Sequence, residues 1–235
     1  MGVLDGRIAL VTGASKGIGA ATAESLARAG AHVVLVARDA AALETVEERI
    51  HAAGGHATIA PLDMAEGDNV ARLASAIAQR WERLDILVLN AAMLGTLAPV
   101  AASDMAELSR VFTLNVLAQQ AMIAAFESLL RRADAGKLIA LTSSVARSPR
   151  AYWGPYAASK AALENLVTTF GEEMRNVSTL RTALVDPGAT ATSMRARAYP
   201  GEDPASLKGP EVVADAIVAL ASRDFDSTEF IRVAR

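Results

Sequence analysis

Short apolar runs alternate along the chain with longer amphipathic stretches, and this alternation limits the fold more than any other feature. The apolar runs lie at 7–12, 32–37, 56–61, 86–90, 137–142 and 181–186, with a shorter one at 229–233. Continuous apolar strands are typical of a parallel sheet that is covered on both faces. The stretches between and after them, which can supply crossover helices, lie at 18–29, 40–53, 69–79, 104–133, 156–176 and 210–221. We therefore predict one doubly wound α/β domain over residues 1–235, with six or seven parallel strands and helices on both faces.

Composition excludes several classes of partner. The 23 Lys and Arg against 26 Asp and Glu give a formal charge of −3, and because no basic tract is present we expect no nucleic-acid partner. No run approaches the roughly 18 apolar residues of a membrane span, and the first ten residues lack the pattern of a secretory signal, so we expect neither membrane insertion nor export. The chain has no cysteine, and its three histidines lack metal-ligand spacing. We expect no metal site and a reducing, cytoplasmic compartment.

A glycine-rich turn follows the first strand and leads directly into the first helix. Its sequence at 12–19 is TGASKGIG, and the candidate cofactor-binding residues in it are Gly13, Ser15, Lys16, Gly17, Ile18 and Gly19. Glycines let the backbone approach a pyrophosphate closely, and a helix N-terminus offers free amides and a positive dipole. The spacing differs from that of a P-loop, so a dinucleotide is favoured over a nucleoside triphosphate.

This spacing resembles that of the short-chain dehydrogenase/reductase family, in its single-domain branch of about 250 residues. The resemblance extends over residues 6–192 and includes six motifs in the family's order. It implies a Rossmann-type fold and the transfer of a hydride between a nicotinamide cofactor and a carbonyl or alcohol substrate. The competing hypothesis is a protein that binds NADP without turnover, as a sensor or scaffold.

The end of the second strand bears on the choice of cofactor. Enzymes that use NAD usually carry an acidic residue there, which binds the ribose diol. Here Ala37 stands at that position and Arg38 follows it, with Lys16 as a second cation in the glycine turn. Guanidinium geometry suits a phosphate, so NADP(H) is preferred and NAD(H) is the alternative. Arg38 could instead be a solvated loop residue, and Asp39 is expected to cap the next helix.

Tyr156 and Lys160 carry the strongest catalytic signal. Their i, i+4 spacing at a predicted helix start puts the phenol and the ammonium on one helix face. An ordinary tyrosine, with a pKa of about 10, is too weak a base near neutrality, but a nearby cation and an oxidised nicotinamide both favour the phenolate. We predict that Tyr156 exchanges a proton with the substrate oxygen.

The family resemblance implies two further catalytic residues. A serine thirteen residues before the tyrosine orients the substrate in relatives; that count selects Ser143, with Ser144 as the alternative. Asn115 matches the family's helix asparagine, which would hold a water that links Lys160 to solvent. Asn115 could also serve only as a bridge to a neighbouring strand, and both roles could coexist.

The remaining cofactor contacts also come from the resemblance. Asp63 matches the residue that contacts the adenine, although an ordinary loop aspartate is the alternative. Asn90 is kept from the family's Asn-Asn-Ala-Gly segment, which here reads Leu-Asn-Ala-Ala at 89–92, so that Leu89 and Ala92 put cofactor affinity in doubt. Three residues match the segment that contacts the nicotinamide carboxamide: Pro187, Gly188 and Thr192.

Three segments are the candidate walls of a substrate pocket: 93–100, 147–155 and 193–208. They contain apolar and aromatic residues, which favour an apolar carbonyl compound. They also contain Arg147 and Arg150, which could meet an anionic group instead, so the sequence leaves both substrate classes open. The resemblance further implies a homodimer or homotetramer.

Overall fold

A computed structural model of the chain describes residues 2–234, in which seven parallel strands form one sheet. The strands are β1 Ile8–Thr12, β2 His32–Ala37, β3 His56–Pro61, β4 Ile86–Leu89, β5 Lys137–Leu141, β6 Arg181–Asp186 and β7 Thr228–Arg232. Their spatial order is β3-β2-β1-β4-β5-β6-β7. The predicted doubly wound α/β fold is therefore confirmed, and the short run near the C-terminus is the seventh strand.

All but one of the helices fall close to the predicted stretches; the exception, Ser193–Ala198, lies in the 193–208 segment that was predicted only as a pocket wall. The helices are α1 Gly17–Arg28, α2 Ala40–Ala52, α3 Asn69–Trp81, α4 Met105–Phe112, α5 Ala118–Arg131, α6 Gly154–Met174, α7 Ser193–Ala198 and α8 Pro210–Ser222. Short 3-10 turns lie at Val100–Ala102, Ser144–Ala146 and Pro204–Ser206. As expected, Asp39 caps α2: its side chain accepts a hydrogen bond from the Ala42 amide at 3.1 Å.

The prediction of one uninterrupted helix over 104–133 was wrong in its middle. A π-helical turn, Thr113–Leu117, separates α4 from α5. Such turns insert an extra residue into the helical ladder and often occur at functional sites. Asn115 lies in this turn, and its side chain is hydrogen-bonded to residues outside the helix. Helical periodicity in a sequence does not reveal such long-range contacts, so the π-helical turn could not be predicted from it.

Side chains of the central strands alternate between two apolar cores. Leu10 and Leu138 pack on the face covered by α3, α5 and α6, whereas Val11 and Ile139 pack on the face covered by α1, α2 and α8. All four side chains are fully buried. The sheet therefore has no solvent-exposed central face, as the continuous apolar runs predict.

The strand order changes direction at β1, which lies between β2 and β4. In doubly wound sheets, ligands bind outside the carboxyl ends of the strands at this switch point. Among residues 2–234, no helix combines the length and hydropathy needed to cross a membrane. The same residues contain no group of three or more His, Asp or Glu side chains that could hold a metal ion.

Close packing of α6 on β6 and β7 gives a first prediction. A Cβ at Gly171 would lie 2.1 Å from the Thr228 hydroxyl and 2.4 Å from the Thr182 hydroxyl, which are hydrogen-bonded to each other at 2.7 Å. Gly171→Ala should gain up to about 1 kcal/mol of helix propensity. The clash should outweigh that gain, for a net loss of about 1–3 kcal/mol in the free energy of unfolding, measured in urea.

Gly201→Ala is the matched control, because nothing lies within 4 Å of a Cβ at that position. We expect its unfolding curve to overlay that of the wild type. Equal stability of Gly171→Ala and wild type would show that α6 can move away from the sheet at no cost.

Candidate active site

One cavity of about 1050 Å³ opens at the carboxyl ends of the strands on either side of the switch point. Most of the predicted site residues line it: Gly13, Ser15, Lys16, Gly17, Ile18, Arg38, Asp63, Asn90, Ser143, Tyr156, Lys160, Pro187, Gly188 and Thr192. Gly19 and Asn115 do not line it but lie directly behind its wall, as their contacts below show. Residues that are up to 179 positions apart in sequence are thus brought together.

The glycine turn between β1 and α1 is held tightly against the end of β4. Gly13 and Gly17 have φ angles of +66° and +57°, which residues other than glycine rarely adopt. A Cβ at Gly19 would lie 2.2 Å from the Gly13 carbonyl oxygen and 2.5 Å from Asn90 Nδ2. Glycines are therefore required here, and the turn that they form lines the cavity directly before the N-terminus of α1. Such a turn fits the pyrophosphate of a dinucleotide.

Asn90 supports this turn from the neighbouring strand. Its Nδ2 donates to the Thr12 carbonyl at 2.8 Å and to the Gly13 carbonyl at 3.2 Å. The Thr12 hydroxyl accepts from the Asn90 and Ala91 amides at 2.9 and 3.0 Å. Thr12 belongs to the predicted glycine turn, but its bonds to Asn90 and Ala91 were not predicted because those residues are far away in sequence. Leu89, which departs from the family pattern, is buried in the core and leaves this network complete.

The cavity end near β2 carries a cation and an acid. Arg38 has 77% of its side chain exposed, and its NH1 lies 3.6 Å from Asp63 Oδ2. The other oxygen of Asp63 accepts from the Ala65 amide at 2.9 Å, as the loop-aspartate alternative requires. An exposed ion pair of this kind is weak, so the guanidinium can exchange its partner for a phosphate at little cost.

Tyr156 and Lys160 lie one turn apart on α6, and both are buried. Lys160 Nζ lies 5.9 Å from the centre of the Tyr156 ring and donates to the Leu141 carbonyl at 2.8 Å. Burial lowers the pKa of Lys160 to about 8, although the Glu164 carboxylate partly opposes that shift. Burial, with a smaller effect of Asp186, raises the pKa of Tyr156. This direction is opposite to the one expected from the nearby Lys160 cation, because burial outweighs that charge. The phenol is therefore neutral near pH 7 and is a proton donor.

Of the two candidate serines, Ser143 lines the cavity and Ser144 does not. Ser143 directly precedes the 3-10 turn Ser144–Ala146 and has an extended backbone. Ser143 therefore lines the same cavity as Tyr156, just after the end of β5. This placement agrees with the count of thirteen residues between the serine and the tyrosine.

Asn115 ties the π-helical turn to two other segments. Its Oδ1 accepts from the Met93 amide at 2.8 Å, and its Nδ2 donates to the Met93 carbonyl at 2.9 Å and to the Ser159 hydroxyl at 3.0 Å. The Ser159 hydroxyl in turn donates to the Tyr156 carbonyl at 2.8 Å. The side chain therefore bridges to the loop after β4 and to α6, and not to a neighbouring strand as the sequence analysis had considered. Its role in holding a water near Lys160 stays a prediction.

Glu164 forms a second link between α6 and the serine loop. Its carboxylate accepts from the Thr142 hydroxyl at 2.6 Å and from Arg147 Nε at 2.7 Å. The Arg147 guanidinium lies 3.6 Å from the centre of the Phe230 ring. Glu164 is four residues after Lys160 and so lies on the same side of α6, but its partners Thr142 and Arg147 could not be identified from the sequence. These contacts position the loop that carries Ser143 against the helix that carries the Tyr156–Lys160 pair.

The buried ammonium gives a second prediction, on stability. Because the pKa of Lys160 is lowered from 10.5 to about 8, the unfolded chain holds more protons than the folded one between those two pH values. Stability must then rise with pH in that interval, as the cost of the buried charge is relieved. We expect the free energy of unfolding of wild type, relative to Lys160→Met, to increase by more than about 1 kcal/mol between pH 8 and 10.

Leu163→Ala is the control, because it removes packing from the same helix but no titratable group. Its difference from wild type should stay constant over the same pH range in urea unfolding. A constant difference for Lys160→Met as well would show that the ammonium of Lys160 is not destabilised by burial.

Comparisons with known proteins agree with this geometry. A sequence model described as short chain dehydrogenase matches residues 7–203. The chain is 39% identical over 211 residues to the uncharacterized oxidoreductase YciK of Escherichia coli (strain K12), covering 88% of this chain and 83% of that protein. It is 29% identical over 237 residues to the 2,3-dihydro-2,3-dihydroxybenzoate dehydrogenase of Bacillus subtilis (strain 168), covering 93% of this chain and 90% of that protein.

Two solved structures with bound nucleotide are also similar. A short chain dehydrogenase of Shigella flexneri 2a, in complex with NADP, superposes with a TM-score of 0.93 at 36% identity and 98% coverage of both chains. One of Escherichia coli CFT073, in complex with NADPH, gives a TM-score of 0.94 at 36% identity, with 99% of this chain and 98% of that chain covered.

Proposed function

Because the chain belongs to the short-chain dehydrogenase family, whose members are oxidoreductases acting on CH–OH and C=O groups, we propose that it is an NADP(H)-dependent carbonyl reductase or alcohol dehydrogenase. One observation carries the proposal: the glycine turn and the buried Tyr156–Lys160 pair open onto the same cavity. A dinucleotide that spans this cavity would bring its reactive ring to the proton donor. The substrate is a small carbonyl or alcohol compound.

NADP(H) is the proposed cofactor, with NAD(H) as the alternative. Arg38 and Lys16 would bind the additional phosphate, and the two relatives that were solved with NADP or NADPH support this choice. The amides of the glycine turn would bind the pyrophosphate, and Asp63 the adenine. The nicotinamide carboxamide would be bound by Pro187, Gly188 and Thr192.

The chemistry follows from the protonation states of the pair. When bound, the reduced nicotinamide supplies the hydride that adds to the carbonyl carbon. Tyr156 donates its phenolic proton to the carbonyl oxygen, so that C=O becomes CH–OH, and Ser143 holds that oxygen by a hydrogen bond. Lys160 supports the phenolate left on Tyr156 and binds the nicotinamide ribose. Asn115 supports the proton relay that reprotonates the pair.

A third prediction tests the proton donor. Tyr156→Phe removes the hydroxyl but keeps the ring, so kcat/KM for carbonyl reduction should fall by about 10²–10⁴-fold. NADPH oxidation is followed by absorbance with a panel of aldehydes, diketones, quinones and sugars. Tyr152→Phe is the matched control: Tyr152 has 58% of its surface exposed and should tolerate the same change.

If the kcat/KM of Tyr156→Phe equals that of wild type, the assigned role of this residue is contradicted. If wild type binds NADPH but reduces none of these compounds, the enzyme proposal fails and a sensor or scaffold is favoured.

A fourth prediction tests the cofactor. Arg38→Ala should raise the Kd for NADPH at least about tenfold, because a charge-assisted contact with the phosphate is lost, while the Kd for NADH changes little. Both constants can be measured by nucleotide fluorescence. Arg49→Ala is the matched control: it also removes one arginine, on α2 and outside the cavity, and should change neither the Kd for NADPH nor that for NADH. Equal weakening of both nucleotides by Arg38→Ala would overturn the preference for NADP(H).

Domain organisation, assembly and location complete the proposal. Residues 1–235 are proposed to form one dinucleotide-binding and catalytic domain, a view supported by the single sheet within residues 2–234. A homodimer or homotetramer is expected from the family resemblance, and Leu117 and Met105, which are 62% and 71% exposed, offer apolar surface for such contacts. The cysteine-free sequence supports a cytoplasmic location.

A further inference from the structure

The cavity wall next to Tyr156 is apolar. Leu94, Val145 and Tyr156 form a buried cluster of their own, separate from the two cores of the sheet. Partly buried apolar side chains pack against it: Leu97, Trp153, Ala157, Met194 and Ala198. Four members of this combined set line the cavity in addition to Tyr156: Leu94, Trp153, Met194 and Ala198. A substrate whose carbonyl oxygen meets the Tyr156 hydroxyl would place its substituents on this surface.

Trp153 gives this wall an aromatic face. Its ring centre lies 6.0 Å from that of Tyr156, at an interplanar angle of 65°, and 5.7 Å from that of Tyr199. The preceding residue, Tyr152, has a left-handed backbone with φ of +73° and points to solvent, being 58% exposed. Aromatic faces of this kind bind flat apolar groups.

Three of the four arginines in the 147–155 and 193–208 segments make side-chain contacts of their own, and the fourth, Arg197, does not line the cavity. Arg195, which lines the cavity, donates from Nε and NH2 to the two carboxylate oxygens of Glu202, both at 2.6 Å. Arg150 donates to the Tyr199 hydroxyl at 2.8 Å, and Arg147 is bound to Glu164 at 2.7 Å. Neither Arg147 nor Arg150 lines the cavity. The Arg195–Glu202 pair is bidentate and has no net charge.

These contacts decide between the two substrate classes that the sequence left open. Along the 147–155 and 193–208 walls, an anionic group would have to displace Glu202 from Arg195 to gain a guanidinium partner, and an unpaired charge is costly where it loses water. The other cation near Tyr156, Lys160, is buried and already donates to the Leu141 carbonyl. The other two arginines that line the cavity, Arg38 and Arg110, lie after β2 and on α4, outside the 147–155 and 193–208 walls.

We propose that the enzyme selects uncharged carbonyl compounds with an apolar, aromatic substituent, an inference that rests on the proposed function. Trp153 determines the preference for the aromatic group, and Glu202 excludes anionic substrates by neutralising Arg195. Both residues act on specificity: Trp153 contacts the substrate, whereas Glu202 acts through Arg195.

A matched pair of substrates tests the exclusion of charge. Methyl 4-formylbenzoate and 4-formylbenzoate share the ring and the aldehyde, and differ in whether the second group is an ester or a carboxylate. Wild-type kcat/KM with NADPH should favour the ester at least about tenfold, since the carboxylate lacks a partner. Glu202→Gln frees the guanidinium and should raise kcat/KM for the carboxylate until the preference is largely lost.

The double variant Arg195→Gln with Glu202→Gln is the control for that gain. It also lacks the carboxylate of Glu202 but has no guanidinium to offer, so the preference for the ester should return. A wild type that reduces the carboxylate as well as the ester would overturn the inference. So would an equal gain in the single and the double variant.

Binding can be measured without turnover, which separates this inference from the proposed function. The chain has two tryptophans, so in Trp81→Phe the fluorescence comes from Trp153 alone. Trp81 ends α3, outside the cavity. The ester should quench Trp153 at concentrations where the carboxylate does not. Selective quenching without NADPH oxidation would refute the proposed function but uphold the apolar pocket; equal quenching by both compounds would refute the pocket's selectivity.

Trp153→Ala tests the aromatic face. Its KM for the ester should rise at least about tenfold with the loss of aromatic contact, whereas its kcat/KM for propanal, which has no ring to stack on Trp153, should change little. Tyr152→Asn is the control, since asparagine tolerates the left-handed backbone, and it should leave both substrates unaffected. A parallel loss for ester and propanal in Trp153→Ala would assign Trp153 a structural role only.

Discussion

The site depends on one interaction, the hydrogen bond from the buried Lys160 ammonium to the carbonyl oxygen of Leu141. A charge in this position is costly, and its lowered pKa reflects that cost. The bond also ties α6 to the end of β5, directly before the loop that carries Ser143. Glu164 strengthens the same junction, because its carboxylate holds both Thr142 and Arg147.

The two ends of the cavity are built by different means. At the nucleotide end, glycines and the Asn90 amide keep backbone groups close together and leave little side-chain volume. At the substrate end, apolar side chains form the wall, and the one arginine there is neutralised by Glu202. Polar backbone at one end and a largely uncharged surface at the other suit a molecule with a phosphate-rich part and a substrate of low polarity.

The sequence predicted the features whose determinants are local. The strands follow from continuous apolar runs, the glycine turn from its spacing, and the Tyr156–Lys160 pair from the period of a helix. The interruption at Thr113–Leu117 was missed, because the contacts that accompany it join Asn115 to Met93 and Ser159, far away in sequence. The state of the arginines could not be predicted either: Arg147 and Glu164 are 17 residues apart, and no sequence pattern marks them as partners. Loop side chains of one type can be solvated, paired or bound to ligand, and only their neighbours decide which.

The central claim is that one cavity holds a nucleotide between the glycine turn and the Tyr156–Lys160 pair. A crystal structure with NADP bound tests it most directly. The account predicts the pyrophosphate against the amides of the glycine turn, the additional phosphate at Arg38 and the nicotinamide beside Tyr156. A nucleotide bound elsewhere, or a nicotinamide directed away from Tyr156 with Lys160 still held by Leu141, would contradict it.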